Sequence, residues 1–185
     1  TKAPPELKLR PEHRWHLFLS HIWGTGQDQC ATIKRQLCLL LPGVSIFLDV
    51  DDLESIDKLE DYVDATAVIM IFVSKGYFGS KNCLREAVCT VSKQKRIALV
   101  HDSAVYLTSF APLEEIKNEL DCEKGAQELV KAQEGVDEGK MLSAAQLRAA
   151  IFQENEPSPR KVIPWHRIKD FQMMSLKQVA EELLL

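Results

Sequence analysis

No apolar run in the sequence approaches the ~20 residues that a membrane-spanning helix needs, so no spanning segment is expected. There is no block of basic residues either. The formal net charge is −4 with acids and bases interleaved, which offers no positive stripe to a phosphate backbone and argues against a nucleic-acid ligand. The five cysteines (Cys30, Cys38, Cys83, Cys89, Cys122) are odd in number and include no Cys-x-x-Cys pair. Three of them fall in apolar helical stretches, where a reduced thiol behaves as a small hydrophobe, so a reducing cytoplasm is expected rather than secretion. A signal peptide, an internal repeat and a low-complexity tract are all missing. The chain opens on Thr1 without a methionine, which suggests a domain excised from something longer.

What remains is a chain of 185 residues, 45% hydrophobic and 27% charged, most simply one globular domain. Residues 1–15 are a polar, proline-containing lead-in, and residues 16–185 are expected to form the domain. His16 to Ser20 reads as strand A, and Gly24-Thr-Gly26 as the turn after it. From Asp28, a cap candidate, Ile33, Leu37, Leu40 and Leu41 recur at helical spacing until Pro42-Gly43 ends the pattern. Val44 to Leu48 is strand B, Asp49 to Ser55 an acidic loop, and Leu59 with Val63 marks a short helix. Ala67 to Val73 is apolar on both faces, the pattern of a strand buried inside a parallel sheet. Ser74 to Gly79 is its exit loop, a helix starts at Ser80, and Ile97 to His101 is strand D.

Residues 103–160 hold helical stretches (Leu113 to Leu120, Ala126 to Gln133, Ala144 to Phe152) joined by Gly, Glu and Lys, which read as an elaborated, mobile connection. Lys161 to Trp165 gives a last strand, and Ser175 to Leu185 an amphipathic closing helix. Strands alternating with helices predict an α/β parallel sheet. The expected form is three-layer and flavodoxin-like, five strands in order 2-1-3-4-5 with helices on both faces.

In such sheets ligands bind beyond the carboxyl ends of the strands, where the strand order reverses. Here that point lies between strand A and the strand from Ala67 to Val73, strand C. The segment Ser80-Lys-Asn-Cys-Leu-Arg-Glu86 forms one wall of the crevice, and Glu86 is its acid. A capping box would want Glu three residues after Ser80, where Cys83 stands, so capping does not account for Glu86. With Leu84, Val88 and Val91 as the buried stripe, Glu86 projects roughly 200° away on a wheel of ~100° per residue, which predicts a solvated side chain.

These residues carry a resemblance to the TIR (Toll/interleukin-1 receptor) domain family. His16-Leu-Phe-Leu-Ser-His21 looks like its first box, Phe47-Leu-Asp-Val-Asp-Asp-Leu53 like its strand B and BB-loop box, and Pro164-Trp165 like its terminal box. Val73 to Glu86 is similar to the plant-type signature, Ser-x-x-Tyr followed by Ser-x-Trp-Cys-Leu-x-Glu. The likeness covers residues 16–102 well and 103–160 poorly. Two positions depart from the pattern, Asn82 for the Trp and Ser55 for a Gly in the BB loop.

In enzymatic members the Glu of that signature cleaves NAD+, and it falls on Glu86. The resemblance therefore implies an NAD+ glycohydrolase that releases nicotinamide and ADP-ribose or a cyclic product, with NAD+ as substrate, no separate cofactor and no metal. Self-association and contacts with other TIR domains are implied as well. Substrate contact is expected from Ser20, His21, Ile22, Trp23 and Gly24 after strand A, and from Asp49, Asp51 and Leu53 after strand B. Tyr77 and Cys83 are expected to complete the pocket.

One carboxylate suits this chemistry. The nicotinamide cation leaves as a neutral ring, so the acid that a glycosidase needs for its departing oxygen is not required. A negative group beside the developing ribosyl cation is enough, and Glu86 near a helix N-terminus is expected to stay ionised. Asp49, Asp51 and Asp52 are expected to be solvated rather than to hold a cation. His21 and His101, at strand ends, are expected to be hydrogen-bonded structural residues. A lone Gly24-x-Gly26 is weak support for an oxidoreductase, and His21-Ile22 is not the acidic pair of a phospho-receiver. The serious alternative is a TIR module that binds other TIR domains without catalysis.

Overall fold

The computed structural model describes residues 7–52, 55, 58–105, 107 and 110–184. Five parallel strands, β1 (Trp15–Ser20), β2 (Ile46–Phe47), β3 (Thr66–Val73), β4 (Arg96–Asp102) and β5 (Val162–Trp165), form one sheet in the order β2-β1-β3-β4-β5. This is the expected topology. β3 lies in the middle, and its continuous apolar run is buried on both faces. The alternation of side chains along a strand then splits the core in two. Leu17, Leu19, Met70 and Phe72 pack on one face, and Phe18, Ile69, Ile71 and Val73 on the other.

The first face is covered by α1 (Trp23–Leu40) and α8 (Lys169–Leu184). Cys30, Ile33 and Leu37 of α1 meet Leu176 and Val179 of α8 there. α1 begins five residues earlier than its capping pattern predicts, so Gly24 and Gly26 lie in helix rather than in a turn. The reason is close approach. A Cβ on Gly26 would sit 3.1 Å from the His21 Cβ and 3.2 Å from the Phe72 ring, so glycine lets the helix start directly against the sheet.

The second face is covered by α3 (Leu59–Asp64), α4 (Lys81–Ser92), α5 (Leu113–Asn118), α6 (Glu123–Ala132) and α7 (Ala144–Phe152). Ile116, Leu120, Leu129, Leu147 and Ile151 join the same cluster as Leu84 and Ala87. Helices α5 to α7 of the 103–160 segment therefore pack onto the core. These helices are short and joined by polar turns, which hid their buried stripes from the sequence pattern.

Three other boundaries differ. β2 is a two-residue edge strand, paired only with β1. The expected acidic loop opens with a helical turn, α2 (Asp49–Asp52), in which the Asp52 carboxylate accepts the Leu48 N–H at 2.9 Å. α8 starts at Lys169 instead of Ser175, because Ser175 is fully buried and donates its hydroxyl to the Pro164 carbonyl at 2.5 Å. Leu185 lies outside the described residues.

Candidate active site

Ser20 ends β1 on the face that α4 covers. α4 begins at Ser80, whose hydroxyl accepts the Cys83 N–H at 3.5 Å. α4 is wedged between the sheet, α3 and the α5–α7 layer, so it buries five consecutive residues, Glu86 to Thr90. This corrects the helical wheel. A helix covered nearly all round has no solvent stripe, and Glu86 is only 6% exposed.

The Glu86 carboxylate accepts the Ser20 hydroxyl at 2.5 Å, and the Tyr77 hydroxyl lies 2.5 Å from the same Ser20 oxygen. Burial pushes the Glu86 carboxyl up to about 8; the Ser20 hydrogen bond opposes the rise and the neighbouring Asp49 charge adds to it. The expectation of a permanently ionised Glu86 is corrected accordingly. The sixth residue of its helix is beyond the reach of the N-terminal dipole, and desolvation dominates.

Glu86 forms part of the wall of a cavity of about 230 Å³, with His21, Ile22, Trp23, Asp49, Leu59, Ser80, Asn82 and Cys83. His21 is fixed by hydrogen bonds to the Leu19 carbonyl at 3.0 Å and the Gln27 side chain at 2.6 Å, the structural role expected. His101 likewise bonds the Ala111 carbonyl at 3.0 Å. Trp23 stands 64% exposed at the mouth, and its indole N–H donates to Asp49. The Cys83 thiol donates to the His21 carbonyl at 3.3 Å, and burial with the Glu86 charge drives its ionisation far upward. Held neutral in this way, it packs on the cavity wall.

The remaining expected contacts separate. Tyr77 is fully buried behind Ser20 and does not line the cavity. Gly24 is exposed on α1, away from the cavity wall. Asp51 and Asp52 point to Lys34, at 3.0 and 2.7 Å, so this acidic turn is ion-paired rather than merely solvated. Leu53 lies outside the described residues. Among the described residues no group of three or more His, Cys, Asp or Glu is placed to hold a metal ion. Leu59 was not anticipated at the site, since its spacing marks only a helix. A larger cavity, about 560 Å³, sits near the strand starts beside Lys8, Arg10, Lys93 and Lys95, and among the described residues no carboxylate side chain lines it.

No family model matches the sequence, and no curated protein matches it. The structure is similar to the TIR domains in the activated Roq1 resistosome directly recognizing the pathogen effector XopQ. The TM-score is 0.57, the match covers 90% of this chain and 98% of that one, and the sequence identity is 15%. The likeness is one of fold: the five-stranded parallel sheet with helices on both faces is that of a TIR domain.

Proposed function

We propose that this chain is an NAD+ glycohydrolase in which Glu86 is the catalytic carboxylate. The observation that carries the reading is one buried carboxylate, hydrogen-bonded by Ser20, on the wall of a small cavity at the carboxyl end of β1. About 230 Å³ falls below the ~300–1,000 Å³ of pockets that enclose a drug-sized ligand. It suits the nicotinamide-ribose end of NAD+, with the remainder of the dinucleotide outside. Trp23 at the mouth offers an aromatic face where Asn82 does not.

The carboxyl is raised to about 8, so it rests largely protonated at neutral pH. A pyridinium cation in the cavity favours the ionised form, which then faces the ribose as the C–N bond breaks and positive charge develops. Nicotinamide leaves neutral, and water or an adenine nitrogen of the same molecule completes the reaction. For free enzyme, kcat/KM should climb about tenfold per pH unit and level off above about pH 8. Mass-detected chromatography of NAD+ incubated with the protein tests the reading. Nicotinamide release with that profile supports it, and intact NAD+ across the whole range overturns it.

The activity is expected in a reducing cytoplasm and in a self-associated state, with the similar TIR domains coming from an assembled resistosome. Specific activity should accordingly rise with protein concentration. A non-catalytic module that binds other TIR domains is the second reading, and a cavity smaller than a whole dinucleotide favours it.

A further inference from the structure

We propose that Glu119, carried by the segment between β4 and β5, is a positioning residue of the Glu86 site. Its carboxylate fixes the turn that holds the Tyr77 hydroxyl on Ser20, and Ser20 in turn holds Glu86. The proposal rests on the reading of Glu86 above.

The turn after β3 leaves two backbone donors without partners of their own, the N–H groups of Gly76 and Phe78, on either side of Tyr77. Glu119 takes both, one carboxylate oxygen 2.6 Å from Gly76 N and the other 3.1 Å from Phe78 N. A two-point clamp of this kind fixes orientation as well as distance. Tyr77 is fully buried between these anchors, edge-on to Phe78, so its hydroxyl has little freedom. Glu119 is held in place from its other side. Gly125 in α6 comes so close that a Cβ there would lie 1.9 Å from the Glu119 carbonyl oxygen.

The order of the hydrogen bonds follows from the proton count. Ser20 has one hydroxyl proton, and an ionised Glu86 takes it; Ser20 must then accept from Tyr77. The Tyr77 phenol keeps its proton, because burial raises its ionisation. Both bonds therefore point at the carboxylate and favour its charged form. The other groups facing Glu86 are Asp49 from α2 and Glu60 from α3, which oppose ionisation, and Arg85 of α4, which favours it while paired with Glu60 at 2.8 Å. The buried thiols of Cys30 in α1 and Cys83 in α4 stay neutral. No other hydroxyl donates to this carboxylate among the described residues.

The test combines NMR titration of isotopically labelled glutamate carboxyls with the pH profile of nicotinamide release. Ser20→Ala should move the Glu86 midpoint upward, slowing release about tenfold at neutral pH and less at alkaline pH. Tyr77→Phe and Glu119→Gln should each move it the same way, with release about threefold slower at neutral pH. The double variant should be no slower than either single one, because both act through one hydroxyl. An unmoved Glu86 midpoint in Glu119→Gln, or strictly additive effects with Tyr77→Phe, overturns the proposal. A Glu119→Gln variant that melts earlier with an unshifted profile also overturns it, since that is a purely structural role. The titration needs no turnover. Shifted midpoints in a protein that leaves NAD+ intact would retire the enzymatic reading and keep the clamp.

Discussion

The two faces of the sheet are built differently. One is covered by two long helices, α1 of 18 residues and α8 of 16, and the other by five helices of 6 to 12 residues. A long helix satisfies its own backbone and presents one continuous apolar stripe, and the α1/α8 face buries Cys30, Ile33, Leu37, Leu176 and Val179 in that way. Short helices multiply ends, and every end brings donors and acceptors that need partners. The second face accordingly buries Ser20, Glu86, Thr90 and Gln133 among its hydrocarbon side chains. Its Gln133 amide bonds the backbone of Leu142 in both directions, at 3.0 and 2.7 Å. Both faces carry an apolar core, but the buried polar groups around the proposed Glu86 site gather on the second.

The largest test of that division is Glu86→Gln, which keeps shape and removes charge. Nicotinamide release should fall about 10²–10³-fold, the cost of losing one preorganised electrostatic partner, with circular dichroism unchanged. The same variant has a signature in stability. Folded Glu86 titrates near 8 against 4.5 for the unfolded chain, so the folded state holds a proton that the unfolded state has released. Wild-type stability should therefore decline as pH rises through this window. Urea denaturation of Glu86→Gln should lack that component, and equal slopes in the two proteins would contradict the assigned burial.

Next in size is Gly125→Ala, on the chemical face but away from the cavity. The new methyl group meets backbone, and overpacking should cost about 1–3 kcal/mol in urea denaturation. It should also slow release, because the Glu119 turn must move. Lost stability with unchanged turnover per folded molecule would separate the two. Ile33→Val, on the fully buried side of α1, should cost about 0.5–1.5 kcal/mol and leave turnover alone; altered turnover would mean that the faces are coupled. Smallest is Trp23→Ala, at the exposed mouth. Its melting temperature should hardly change, while loss of an aromatic contact worth about 0.5–1.5 kcal/mol should slow release less than about tenfold.

The same division explains what could be read in advance. β3 was legible almost to the residue because a strand buried on both sides writes an unbroken apolar run. The alternation of elements made the sheet parallel, while its strand order was taken from the flavodoxin-like pattern. Glu86 was found through the signature around it and misplaced by the helical wheel, which assumes one wet side that α4 does not have. Gly24 and Gly26 imitated a turn, since a glycine needed for close packing and one needed for chain reversal look identical in sequence. Glu119 gave no local signal. Its partners lie more than forty positions earlier, and only the packing of α6 brings it to the turn after β3.

The sheet's two borders have a consequence for how copies of this chain can meet. β2 offers a neighbour a border of only two residues, and β5 on the far side carries Pro164, which has no N–H to donate, with its carbonyl already engaged by Ser175. Short strands and prolines at sheet edges discourage strand-to-strand growth. The molecule can therefore be crowded to high local concentration without zipping into continuous β-structure, which leaves the proposed self-association to side-chain contacts between helices and loops.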